Sequence, residues 1–296
     1  MHCELMLAGA LAAEARLPAL ELLLARGRAT RADPQGAAAW LGRACGLDPV
    51  PAGALTAGEA GFRLRADPVH YRVLRDRVVI VPATALDARA ADALVGTLNR
   101  HFAGRHEFRA ATPDAWTMSS APAPIDAPPA AEVWGRDFAE CMPAAPWPAL
   151  LNEIQMALHD HPANEGREAA ANGVWLWGAG ELPAALRAPW RSIASDDPLA
   201  RGLARAAGIE SHAAPRAAAE WLAALPGAGR HLVQLGALEG AMDEAWFAPL
   251  LEALRAGRLG MLTLHAPGAG LAVEAARHDL RRFWRRARPL ESHAHR

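Results

Sequence analysis

Val174-Trp175-Leu176-Trp177-Gly178-Ala179-Gly180 sets the reading of the fold. Four large apolar side chains in a row, closed by a glycine pair, read as a short buried strand followed by a tight turn. Downstream of it, Leu199–Ala207, Ala217–Leu225 and Trp246–Leu254 carry helical periodicity, and they alternate with strand candidates at Leu232–Leu235 and Gly260–Leu264. Strands that alternate with helices in this way predict an α/β layered domain with a largely parallel sheet. Gly178-x-Gly180 lacks the third glycine and the following helix of a dinucleotide fingerprint, so it reads as a turn.

Upstream the texture differs. Residues 3–12 are a mostly apolar run, a strand or helix, and Leu17, Leu20, Leu23 and Leu24 recur at helical spacing before Gly27. Ala37–Cys45 reads as a second short helix, and the Pro and Gly residues from Pro49 to Gly61 read as a loop or boundary. Val69–Leu74 and Val78–Pro82 flank Arg75-Asp76-Arg77 and predict a hairpin. Asp87 stands where it caps a helix whose Leu94, Leu98 and Phe102 share one face, and Glu107–Ala110 and Trp116–Ser119 are further short strands. Residues 119–130 are too rich in proline for regular structure and read as a connector. Pro148–His159 is a helix with Leu150, Leu151, Ile154 and Leu158 in phase.

Composition removes several chemistries. The 296 residues contain no Lys, so all 31 basic residues are Arg. Schiff-base chemistry, a P-loop and a kinase-type strand lysine are excluded, since each needs an ammonium. A formal charge of −1 gives no basic footprint for coating nucleic acid, so nucleic acid is not an expected partner. Three widely separated cysteines predict no disulfide framework and fit a reducing cytoplasm. No signal peptide or membrane-spanning run is read, so no membrane association is expected.

The densest polar cluster is 152–181, where His159, Asp160, His161, Asn164, Arg167, Asn172 and Glu181 surround a helix end, a loop and a strand end. Ligands of open α/β sheets sit at such places. Turn-satisfying asparagines, a capping histidine and core tryptophans account equally well for the same residues. His159-x-His161 lacks the spacing of a metal pair. At the C-terminus Arg277, Arg281, Arg282, Arg285, Arg286 and Arg288, with Leu280, Phe283 and Trp284 opposite, predict an amphipathic basic helix whose charges form a solvated face.

The run Asn172–Pro183, preceded by His161-Pro162-x-Asn164-x-x-Arg167, resembles the Trp-containing signature of archaeal-type, cofactor-independent phosphoglycerate mutases. Ser195-Asp196-Asp197-Pro198-Leu199 through Ile209 continues the likeness. Leu64–His70 and Leu151–Met156 look like a bacterial offshoot known as RpfE-type regulatory proteins. The resemblance implies an alkaline-phosphatase-like core formed by residues 1–61 and 168–296, with 62–167 as an inserted α+β subdomain. It also implies two divalent metals (Mn, Mg or Zn) around a phosphoryl-accepting serine.

Those ligands are largely missing. The family's N-terminal metal motif has no counterpart before Leu17-Pro18-Ala19-Leu20, and no suitable Ser precedes Phe62. The family's two-histidine motif falls on Gln234–Asp243 and its Ser-Asp-His on Thr263-Leu264-His265, which leaves Glu239, Asp243 and His265 as weak metal candidates. The family's active-site lysine has no equivalent either. The expected protein is therefore a catalytically degenerate, cofactor-free, regulatory or anion-binding relative. Its site would be His161, Asn164, Arg167, Asn172, Trp177 and Glu181, with Arg167 facing a small phosphorylated or carboxylated ligand, and a regulatory protein as the other expected partner. The rival is an active metal-dependent mutase or phosphatase with its metal site rebuilt from Glu239, Asp243, His265 and the His159/His161 pair.

Overall fold

The computed structural model describes residues 1–84 and 86–294, and they form two compact units. The first comprises Met1–Cys45 and Arg187–Arg296, and the second Gly46–Leu186. The expected boundaries, 61/62 and 167/168, lie inside the second unit. The reason is the Trp-containing strand. It does not join the core sheet but pairs antiparallel with Arg63–Val73, matching Trp177 to Arg65 and Trp175 to Asp67.

Among the described residues there are twelve strands: β1 His2–Leu7, β2 Arg28–Arg31, β3 Arg63–Val73, β4 Val78–Pro82, β5 Glu107–Thr112, β6 Ala115–Ser119, β7 Gly173–Gly180, β8 Ser192–Ala194, β9 Glu210–His212, β10 Arg230–Leu235, β11 Met261–Ala266 and β12 Leu271–Ala275. The first unit holds a seven-stranded sheet in the order β2-β12-β11-β1-β10-β8-β9. The run from β11 to β9 is parallel throughout, and antiparallel pairing enters only where β12 joins β11 and β2 joins β12. This is the mixed, mostly parallel α/β architecture that the alternating pattern predicts.

Period-two alternation along β1 divides its side chains between two faces. Cys3, Leu5 and Leu7 join a core with Leu20, Leu23 and Leu24 of the helix Pro18–Arg26, Trp221 of Ala218–Ala224, and Leu250, Leu251 and Leu254 of Ala248–Arg255. His2, Glu4 and Met6 take the other face, with Thr263 of β11 in register beside Glu4 and His265 in register beside Met6. The helix Ala37–Ala44 lies over that face, with the Trp40 ring 4.6 Å from His265 and 5.7 Å from Trp190.

In the second unit β4-β3-β6-β5, with β7 added on β3, make a five-stranded sheet. Its core gathers Leu94, Leu98 and Phe102 with Trp147, Leu151, Ile154 and Leu158, so the two expected helices form, as Ala88–His101 and Trp147–Leu158, and bury the expected faces. Asp87 accepts from Ala90 N–H at 2.7 Å and caps the first of them. Residues 120–129 carry no helix or strand.

Two local expectations change. The stretch read as a loop contains the buried helix Ala52–Ala57, because Gly53 packs where an added Cβ would stand 2.3 Å from the Leu64 carbonyl carbon. The C-terminal arginine helix is replaced by a single 3-10 turn, Asp279–Arg281, after which the chain is irregular up to the short helix Glu291–Ala294. Arg282 and Arg285 instead donate to the carbonyls of Arg26 (2.9 Å) and Gly27 (3.0 Å), satisfying the C-terminal end of the helix Pro18–Arg26. That geometry leaves Phe283 and Trp284 78% and 66% exposed, so they cover no apolar stripe.

Candidate functional site

The residues expected around the Trp-containing strand turn largely toward backbone. His161 accepts the Ala163 N–H at Nδ1 (3.1 Å), which leaves the proton of the neutral ring on Nε2, 3.0 Å from Thr97 Oγ1. Burial and the nearby Arg100 lower its pKa, which favours that neutral state. Asn164 closes its loop by exchanging two 3.0 Å hydrogen bonds with Ala171, and Asn172 does the same with the backbone of Tyr71. Arg167 is half-buried, and its Nε donates to Ala163 O at 2.8 Å. Trp177 is buried away from this loop, with its indole N–H 2.6 Å from Asp67 Oδ2. Glu181 is exposed just past β7, and the His159–Asp160 pair is also exposed.

The candidate metal ligands are not brought together. Glu239 is exposed on the loop after β10. Asp243 accepts from the N–H groups of Ala19 (3.1 and 3.0 Å) and Leu20 (3.1 Å), so it caps the helix Pro18–Arg26 from a π-helical turn, Asp243–Phe247. His265 Nε2 lies 3.0 Å from Glu4 Oε2; an ionised carboxylate only accepts, so Nε2 carries the proton. Among the described residues no group of three or more His, Cys, Asp or Glu side chains is placed to hold a metal ion.

The C-terminal edge of a parallel sheet is where α/β proteins place their chemistry. Here β1 runs out into Ala8-Gly9-Ala10-Leu11-Ala12-Ala13, and β10 into Gly236-Ala237-Leu238. None of these side chains can ligate a cation or donate to an anion. At the end of β8, Ser195 donates to Gln234 Oε1 (2.9 Å) and accepts from Asp197 N–H (3.0 Å), while Asp197 caps the helix Pro198–Ala206. Ser195 is buried and fully engaged, unlike an attacking hydroxyl. The residues present do not fit a two-metal centre.

Two features escaped the sequence reading. Glu4 is 1% exposed in the middle of the sheet and takes Arg230 Nε (2.5 Å), His265 Nε2 (3.0 Å) and Trp190 Nε1 (3.2 Å). Burial by itself raises its pKa, and the hydrogen bonds from His265, Arg230 and Trp190 outweigh that and hold it at about 2. Beside this cluster a cleft of about 90 Å³ is lined by Thr30, Arg31, Asp33, Gln35, Trp40 and His265. The second feature is Arg63, buried at the start of β3. The signals were a lone acid inside Cys3-Glu4-Leu5-Met6-Leu7, and the alternation Arg63-x-Arg65-x-Asp67, which sets three charges on one strand face.

One solved structure among those compared shares this fold. The chain aligns with the PH0037 protein from Pyrococcus horikoshii at 14% identity and a TM-score of 0.51, over 93% of this chain and 87% of the other. It aligns with the cofactor-independent phosphoglycerate mutase from Thermoplasma acidophilum DSM 1728 at 18% identity and a TM-score of 0.43, over 92% and 89%. The first likeness establishes a shared fold and nothing more. No family model matches the chain, and no curated protein matches it. No helix among the described residues is long and apolar enough to cross a membrane.

Proposed function

We propose that this chain is a catalytically degenerate relative of the cofactor-independent phosphoglycerate mutases. On this reading the first unit has alkaline-phosphatase-like layering, and the protein works without metal as a regulatory or anion-binding protein. The observation that carries the reading is the C-terminal edge of the parallel sheet, where alanine, glycine and leucine follow β1 and β10. Two adjacent divalent cations need several anionic ligands to offset their charge, and Asp243 and His265 are committed to a helix end and to Glu4. Within the binding role Arg167 keeps its terminal guanidinium nitrogens for a phosphate or carboxylate, with a protein partner reading the liganded state. Three buried, unpaired cysteines suit a reducing cytoplasm.

The test is metal analysis of the purified protein, with 3-phosphoglycerate turnover assayed in added Mn²⁺. The expected result is no stoichiometric metal and no turnover. Stoichiometric metal together with turnover would establish an active mutase or phosphatase and overturn the reading.

A further inference from the structure

Arg63 and Arg65 point from the same face of β3, two residues apart, and both are buried, at 6% and 7% exposure. Their surroundings differ. The Nε and Nη2 of Arg65 both donate to Asp67 Oδ1 (2.9 and 2.5 Å), its Nη1 donates to Thr56 Oγ1 (3.2 Å), and its guanidinium lies 5.4 Å from the Trp177 ring centre. Every nitrogen has a partner. Arg63 has one hydrogen bond, from Nη2 to Glu59 Oε2 at 2.7 Å, while its Nε and Nη1 are buried with none. Unmade hydrogen bonds on a buried cation are costly, and a guanidinium presents its donors as forks that match oxyanions.

Glu59 is placed as a replaceable partner. It bridges two arginines, with Oε2 on Arg63 and Oε1 on Arg109 Nη1. Its side chain is 44% exposed, and it sits between Gly58 and Gly61, both at positive φ, with no atom near the Gly61 Cβ position. Arg109 is itself half exposed on β5 and holds Glu107 through Nε and Nη2. A carboxylate has two oxygens, and here each is spent on a different arginine. A tetrahedral oxyanion has enough oxygens to meet both arginines and still reach a second nitrogen of Arg63.

We propose that Arg63 and Arg109 form the walls of a binding site for a small tetrahedral oxyanion, phosphate or a phosphate monoester. Glu59 is the carboxylate that fills the site when no ligand is bound. The proposal rests on the anion-binding reading above and gives it a location other than Arg167. Ligand entry expels Glu59 into solvent, which its exposure and flanking glycines permit, and the turn Gly58–Gly61 then reports occupancy.

Inorganic phosphate is titrated into the full chain by calorimetry, for wild type, Glu59→Gln, Arg63→Met, Arg109→Gln, the Glu59→Gln/Arg109→Gln pair and Arg167→Gln. Circular dichroism checks that each is folded. Glu59→Gln removes the competing charge and should bind phosphate at least tenfold more tightly than wild type. Adding Arg109→Gln should cancel that gain, and since Arg109 is at the surface, this arm stands even if Arg63→Met does not fold. Equal affinity of wild type and Glu59→Gln overturns the proposal. Binding that survives Arg63→Met and Arg109→Gln but is lost in Arg167→Gln removes this site and keeps the anion-binding reading. No binding by any variant removes both.

Discussion

Leu17 precedes the helix Pro18–Arg26 and has no side-chain acceptor, so the free N–H groups of the first turn need a partner from elsewhere in the chain. Asp243 supplies it. Asp243→Ala should cost about 1–2 kcal/mol in urea unfolding, the usual worth of a capping carboxylate; a change within error would show the cap to be idle. Glu4 gives the pH dependence. Its folded pKa, about 2, lies below the ordinary 4.5, so its contribution is complete above about pH 4.5 and disappears as the pH falls toward 2. The gap in unfolding free energy between wild type and Glu4→Gln should therefore narrow by about 3 kcal/mol from pH 6 to pH 2. A gap that stays constant would mean that Glu4 titrates normally. At this scale the sequence told residue types but not their partners. Asp243 was read from the sequence as a weak metal candidate, yet the N–H groups that claim it lie more than 220 residues away.

The elements were more legible than the residues. Helices with a single apolar stripe, such as Ala88–His101 and Trp147–Leu158, follow from periodicity because their stripes meet one core. Strands β8 and β9 have three residues each, too few to show a period, and β2 is exposed at all four positions. β2 exists because β12 pairs with it along a sheet edge, which no local pattern encodes. The C-terminal arginines failed as a helix because two of them close another helix's end. Gly27 lies at that junction, and an added Cβ would stand 2.4 Å from Val273 Cγ1 and 2.8 Å from Glu274 O. Gly27→Ala should destabilise by about 1–3 kcal/mol, since the crowding is partly against backbone. Gly236→Ala, with nothing within 4 Å of the added atom, is the matched control and should cost much less. Equal melting temperatures for the two variants would contradict this account.

The molecule is one chain with a second unit set between residues 45 and 187 of the first. An inserted subdomain at 62–167 is what the family resemblance implies, whereas the second unit runs from Gly46 to Leu186. The edges were not legible, because an apolar strand closed by glycines reads the same in either sheet. The second unit has its own five-stranded sheet and its own core. Gly46–Leu186 produced alone should therefore show a cooperative thermal transition by circular dichroism and tryptophan fluorescence. A gradual, non-cooperative melt would show that it depends on the rest of the chain.

The central strand β1 has its own history in time. It leaves the ribosome long before its hydrogen-bonding neighbours β10 and β11, whose matching residues begin at Arg230 and Met261. At about 5–20 residues per second, it waits some 10–45 seconds for the first of them. Throughout that interval Cys3, Leu5 and Leu7, buried in the finished protein, are without their sheet, while the second unit is already complete enough to fold. The nascent chain thus carries a unit able to fold behind an apolar strand that is still unpaired.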